Sequence, residues 1–374
     1  MRIVIKLGSS LLTTKEGLNS ERIKQLAEQL NRLPHEFVIV TSGAIATGMR
    51  KMNMKQKPPD IGMQQALAAI GQSTLMREYE EAFEGKKMLA QVLLTNYDFS
   101  DRMRYLNVQT TLLTLMKKGI IPIINENDTV TVCDIRKLAF RDNDSLAAHV
   151  AVSVYADLLI ILTDVDGLYN KSPKEEGAEL IRIVKEITDK ELEMCSGFSM
   201  VGRGGMLSKL RAAKMATEAG VKVAIANGSA DGAVAKVLNG ELGTTFLSLG
   251  KMNPKKHWIA FASEPKGKLF INAGAEKAIL TEKGSLLPIG VTDFEGHFDK
   301  GDVIEIVNAN GKAIAKGITN YFSREIPKIK GCSEDEVFNA LGYAYREAVP
   351  RASMYVLENG KDDGGSNAEG GASG

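Results

Sequence analysis

Two lysines stand where a charged phosphoryl group could be held. Lys6 opens Lys6-Leu7-Gly8-Ser9-Ser10, directly after a run of Ile and Val. Lys209 closes Gly202-Arg203-Gly204-Gly205-Met206-Leu207-Ser208-Lys209, which leads into a helical pattern. A lysine ammonium is a compact positive charge. Glycine lets the backbone approach a ligand closely, and amides at a helix N-terminus take phosphate oxygens with the help of the helix dipole. The same dipole disfavours a cation in the first turn, so Lys209 sits against its local electrostatics and a function is one compensation. Between the lysines lie Ile124-Asn125-Glu126-Asn127-Asp128 and Phe140-Arg141-Asp142-Asn143-Asp144, a concentration of acids and amides. It suits a small ligand carrying an ammonium group, or a magnesium–phosphate complex, since both want oxygen partners. Thr41-Ser42-Gly43-Ala44-Ile45 would give a small, hydroxyl-bearing pocket floor, and Thr163-Asp164-Val165-Asp166-Gly167 could hold a nucleotide. Each pattern alone also has an ordinary reading. Lys6 can end a strand, Ser42 can cap a helix, and Asp and Asn supply turns. Together they fit phosphoryl transfer, where catalysis is mostly positioning plus charge stabilisation.

Other chemistries find no support. There is no GxxxxGK[ST] loop and no HRD…DFG set. The four histidines, His35, His149, His257 and His297, are scattered without metal spacing. Cys133, Cys195 and Cys332 are far apart, which excludes a disulfide framework or thiolate zinc site and fits a reducing cytosol. No protein-held metal is expected.

The elements that must position these residues are legible from periodicity. Ile3–Leu7, Phe37–Thr41, Ile120–Ile124, Leu158–Thr163 and Val221–Ala226 are short apolar runs and read as buried strands. Ile23, Leu26, Ala27, Leu30 and Leu33 mark one helix face, and further helices are expected over 105–118, 144–155 and 207–219. Alternating strands and helices give an α/β fold: a three-layer αβα sandwich around a mostly parallel open sheet. Ligands in such folds bind beyond the carboxyl ends of the strands, which is where the motifs fall. After Gly250 the rhythm changes to closely spaced strand-like pieces, so a small β-rich barrel domain is expected. The chain ends in a glycine-rich segment, Asn359–Gly374, expected to be disordered. Of 374 residues, 47 are Lys or Arg and 46 Asp or Glu, a net charge of +1 that argues against a general nucleic-acid or membrane-surface binder. The most apolar stretch, 147–162, is interrupted by His149 and Asp157 and falls short of the roughly 18 apolar residues of a membrane span.

The ordered motifs Val4–Ser10, Thr41–Ile45, Ile124–Asp128, Asp142–Asp144, Leu162–Asp164 and Gly204–Lys209 resemble the amino-acid-kinase family, most closely its glutamate-phosphorylating bacterial members. The likeness spans roughly residues 1–255. A segment around Gly274-Ala275 and Lys283–Val291 resembles the PUA domain appended to many members. The resemblance implies a catalytic domain over 1–255, a linker over 256–266, a PUA-like domain over 267–342 and a C-terminal extension over 343–374. It implies ATP-dependent phosphorylation of the γ-carboxylate of L-glutamate to L-glutamyl 5-phosphate, the first step of proline synthesis, in the cytoplasm. By the same likeness Lys6 and Lys209 neutralise the transferred phosphoryl group and Asp144 orients them. Ser42, Asp128 and Asn143 hold glutamate, Asp128 facing its ammonium group. Thr163 and Asp164, with Arg203, Gly204, Gly205, Met206, Leu207, Ser208 and Lys209, line the ATP site, and Mg2+ rides on the ATP phosphates. A homo-oligomer and feedback inhibition by proline are further expectations of the family. The chain departs from it at Arg141, where glycine usually precedes Asp-Asn-Asp, and at Arg203 and Ser208, where threonine is common. PUA domains often bind RNA, but nine Lys and Arg against eight Asp and Glu over 267–330 make a poor electrostatic footprint, so a structural or regulatory module is favoured. An RNA-binding protein with a degenerate kinase domain is the competing reading; Lys6, Asp144 and Lys209 together speak against it.

Overall fold

The computed structural model describes residues 1–14, 17–130, 143–173, 175–196, 205–250 and 253–357. It divides into two compact units, Met1–Met252 and Asn253–Gly374.

The first unit is built on an eight-stranded sheet. Its strands are β1 (Arg2–Leu7), β2 (Glu36–Val40), β3 (Leu89–Leu94), β4 (Ile121–Glu126), β5 (Leu158–Thr163), β6 (Ile183–Val184), β7 (Lys222–Asn227) and β8 (Thr244–Phe246). Their order is β3-β4-β2-β1-β5-β7-β8-β6. All neighbours run parallel except β7 and β8. The central strands are apolar on both faces because helices cover both. β5 is buried along its whole length.

Successive side chains of β1 alternate between faces. Ile3, Ile5 and Leu7 join Ile39, Ile123 and Ile160 in a core closed by Ile23, Leu26 and Leu30 of α1 (Ser20–Arg32) and by Leu75, Tyr79 and Phe83. The last three belong to a helix of 23 residues, Ile61–Phe83. Alternation sends Val4 and Lys6 to the opposite face. The helices include α1, α2 (Ala44–Lys51), α3 (Ile61–Phe83), α4 (Arg102–Lys117), α5 (Asn143–Ser153), α6 (Met206–Glu218) and α7 (Ala233–Leu238). Asn19, Asp60 and Asp101 cap α1, α3 and α4, each accepting from the backbone N–H three residues on. Helices α2 and α3 touch backbone to backbone. A Cβ at Gly71 would lie 1.9 Å from the Ala44 carbonyl oxygen, and one at Gly48 1.9 Å from that of Leu67.

The strands expected from periodicity all occur. Two elements near the site are additions: the edge strand β3, whose half-buried pattern gives no clear alternation, and α3, in which a broad run of small and apolar residues hides the helical period.

The second unit carries its own five-stranded sheet. Its strands are β9 (Gly267–Ile271), β10 (Val291–Gly296), β11 (Val303–Val307), β12 (Ala313–Ile318) and β13 (Met354–Val356), in the order β10-β9-β11-β12-β13. Leu269, Ile271, Ile304, Ile306, Ile314, Tyr321 and Met354 share its core. The stretch expected as a linker, 256–266, contains the end of a helical turn, Pro254–His257, and a π-turn, Trp258–Ala262. Trp258 and Ile259 are buried there, so apolar side chains draw the segment into a packed unit. The sheet also takes in residues 354–356 of the expected C-terminal extension through pairing of β12 with β13. The glycine-rich end expected from Asn359 onward lies outside the described residues.

Candidate active site

The carboxyl ends of β1, β5 and β7 are tied together where the motifs lie. Gly8 N–H donates to the Leu162 carbonyl at 2.8 Å, and Gly228 N–H to that of Thr163 at 2.8 Å. A Cβ at Gly8 would stand 3.1 Å from the Leu162 oxygen, so glycine keeps this approach close.

Lys6, near the end of β1, and Lys209, in the first turn of α6, converge on one carboxylate at the first turn of α5. Asp144 Oδ1 pairs with Lys6 Nζ, and Asp144 Oδ2 lies 3.1 Å from Lys209 Nζ. Ser208 Oγ lies 3.2 Å from the same Oδ2 and 2.9 Å from the Gly205 carbonyl oxygen, and its one O–H can donate to either. Asp144 is fully buried, and each lysine is 5 % exposed. Burial pushes the Asp144 carboxyl up, but the Lys6 and Lys209 charges and their hydrogen bonds outweigh it and hold the group below its ordinary value. Among the described residues two buried cations share one buried anion. The position of Lys209 at a helix N-terminus, unfavourable by the dipole, is answered by Asp144.

The residue before Asp144 opens a second compartment. Asn143 Nδ2 donates to the Thr41 carbonyl at 2.6 Å and to Asn125 Oδ1 at 3.3 Å. A cavity of about 270 Å³ lies here, lined among others by Ser42, Gly43, Asn125, Glu126, Asp128 and Asn143, with Lys57 at its margin. The chain turns from β2 into α2 through Gly43, whose φ of +103° favours glycine, and no side chain caps that helix. Its first amides, beside the cavity, are open to an anion. Ser42 Oγ donates to the Leu7 carbonyl at 3.5 Å. Burial pushes the Asp128 carboxyl up, and Lys57 partly offsets this. The α5 N-terminus therefore joins the two compartments: Asn143 to the cavity, Asp144 to the lysines.

Thr163 is buried at the end of β5 and donates from Oγ1 to Asp164 Oδ1 at 3.0 Å; Asp164 is exposed. Gly205, Met206, Leu207 and Ser208 begin α6 and are half-buried. Arg203 and Gly204, expected at the nucleotide, and Arg141 and Asp142 lie outside the described residues. Asn125 stood in an expected motif without a role of its own. Gln72 and Lys57 had no local signal, because each is brought to the site by α3 or by the loop leading to it. Among the described residues no group of three or more His, Cys, Asp or Glu could hold a metal ion. No helix among them is long and apolar enough to cross a membrane.

The sequence model of the Amino acid kinase family matches residues 1–227. The chain belongs to the amino acid kinase family. The PUA domain model matches residues 267–341, which hold strands β9 to β12 of the second unit. Curated relatives of this amino acid kinase include the glutamate 5-kinase of Thermoanaerobacter pseudethanolicus, 49 % identical over 375 residues and spanning 97 % of this chain and all of the relative. The glutamate 5-kinase of Syntrophotalea carbinolica is 43 % identical over 365 residues, spanning 96 % and 97 %. Among solved structures, a carbamate kinase from Giardia lamblia bound to AMP-PNP superposes with a TM-score of 0.50 at 16 % identity, covering 66 % of this chain and 98 % of that one. That likeness bears on the fold.

Proposed function

We propose that this amino acid kinase transfers the γ-phosphoryl group of ATP to the γ-carboxylate of L-glutamate, giving L-glutamyl 5-phosphate, as the names of its relatives indicate. The observation that carries the reading is the pair of lysines on buried Asp144, one residue from an amide that lines a pocket for an amino acid. In this reading Asp128 and Asn143 accept hydrogen bonds from the substrate ammonium group, and Ser42 and the first amides of α2 receive carboxylate oxygens. The γ-carboxylate then points toward the lysines. A carboxylate oxygen attacks the γ-phosphorus, the bond to the ADP oxygen breaks, and ADP leaves with the electron pair. No proton need be removed, because the nucleophile is already an anion. The difficulty is bringing a carboxylate beside a triphosphate, and Lys6 and Lys209 neutralise that charge where water is excluded.

Thr163, Asp164 and the 203–209 segment line the adenosine and phosphates in this reading. Mg2+ supplies further charge neutralisation when bound to the ATP phosphates. Asp144 is committed to two lysines, so the ion rides on the nucleotide. A cytoplasmic homo-oligomer under proline control accords with the family.

The test is ADP release by the full chain with Mg-ATP and, separately, L-glutamate, aspartate, N-acetylglutamate or UMP, with hydroxylamine to trap an acyl phosphate. Release and hydroxamate formation with glutamate alone are expected. Release with another acceptor and none with glutamate would overturn the assignment.

A further inference from the structure

Gln72 follows the glycine at which α2 and α3 touch, and no motif of the sequence points to it. It is 9 % exposed, and its Oε1 accepts from Asn125 Nδ2 at 3.0 Å. Asn125 is 2 % exposed and is fixed from its other end, where Oδ1 accepts from the Glu126 backbone N–H at 2.9 Å and from Asn143 Nδ2 at 3.3 Å. Asn143 Nδ2 spends its other N–H on the Thr41 carbonyl. A carboxamide has two N–H donors and one oxygen, so the group Asn143 can offer to the cavity it lines is its oxygen.

The chain of amides has one direction. Asn125 must turn its nitrogen to Gln72, and Gln72 must answer with oxygen. The Gln72 Nε2 is then buried without a hydrogen-bond partner among the described residues. A buried donor left unpaired is unfavourable, and an apolar side chain of the same shape would avoid it. The acceptor end is what this position uses.

We propose that Gln72 is a positioning residue for the amino-acid substrate: through Asn125 it locks the Asn143 carboxamide with its oxygen toward the substrate ammonium group. The inference rests on the glutamate-kinase reading. Without the Gln72 oxygen, Asn125 keeps the Glu126 N–H but loses the partner that holds its nitrogen end, so its grip on the Asn143 carboxamide, which it shares with the Thr41 carbonyl, loosens.

The test is Gln72→Met, which keeps length and apolar bulk and removes the acceptor. The KM for glutamate rises about tenfold, the loss expected for a weakened hydrogen bond to a charged group. The KM for ATP and kcat at saturating glutamate stay within about twofold. The melting temperature changes little, because removing one unpaired donor (Gln72 Nε2) offsets exposing another (Asn125 Nδ2). Since Gln72 acts through Asn125, Gln72→Met adds no further rise in an Asn125→Ala background. An unchanged KM for glutamate in the single variant, or additive rises in the double variant, overturns the proposal. Should methionine unfold the chain, Gln72→Glu keeps an oxygen at the same reach: a near-normal KM supports the proposal and a tenfold rise overturns it. Wild-type protein that releases no ADP with glutamate overturns the functional reading beneath it. An active wild type with an unaffected Gln72→Met variant overturns this inference alone.

Discussion

Replacing Asp144 with Asn tests the charge arrangement most directly, because shape is kept and the carboxylate shared by two buried cations is lost. At 3.1 Å the Lys209–Asp144 attraction alone amounts to about 5 kcal/mol at an effective dielectric of about 20. The net cost of removing one partner of a buried pair is about 3–5 kcal/mol, since the remaining charge is left uncompensated. For a unit of this size that lowers the melting temperature on the order of 10 °C. Differential scanning fluorimetry at pH 7 reads it. The pH dependence adds a signature. Asp144 is held below its ordinary value near 3.8 when folded, so its contribution is full above that pH and is lost as pH falls through the folded value. Wild type and Asp144→Asn therefore differ at neutral pH, and the gap narrows as pH falls below about 3.8 toward the folded value. Inorganic phosphate, an anion that can stand in for the carboxylate, raises the melting temperature of the variant more than that of wild type. A variant that melts with wild type at pH 7, or a gap that persists unchanged at pH 3, would refute the view that Asp144 holds the two lysines.

Lys209→Ala removes charge stabilisation from the transferred phosphoryl group, and kcat falls by about 10²–10³ in the coupled ADP assay while the protein stays folded. Gly71→Ala forces a Cβ into the Ala44 carbonyl, so stability drops by about 1–3 kcal/mol in urea unfolding and the KM for glutamate rises as α2 shifts. The Asp128 carboxyl is raised by burial, so it loses its charge at a higher pH than an ordinary aspartate. The KM for glutamate accordingly climbs as pH falls toward that value, and Asp128→Asn has a high KM that is flat over the same range.

The paired lysines Lys6 and Lys209 and the strands beneath them were legible because their signals are local. Ile3–Leu7 and Leu158–Thr163 are uniformly apolar since helices cover both faces of the sheet, and a polar residue at such a strand end has no packing reason to be there. Lys209 gave itself away by opposing a helix dipole. Gln72 gave no such sign. A glutamine in an Ala-rich helix reads as surface, and its role depends on Asn125, 53 residues further on, lying across from it. The long helix α3 was hidden for a related reason: its small residues serve close packing against α2, which periodicity does not register. Within the stretch expected as a linker, Trp258–Ala262 forms a turn with buried apolar side chains, which its flanking lysines do not announce.

The place of β1 in the sheet has a consequence for synthesis. Strand β1 is made before both of its neighbours, β2 and β5, so one of its edges finds its partner only when residues 158–163 arrive. At about 5–20 residues per second, that edge of Ile and Val waits on the order of ten seconds with its hydrogen-bonding groups unpaired. Unpaired apolar edges recruit other chains. The nascent protein is therefore expected to need shelter by chaperones, and Lys6 meets Asp144 and Lys209 only late in folding, after most of the first unit has been made.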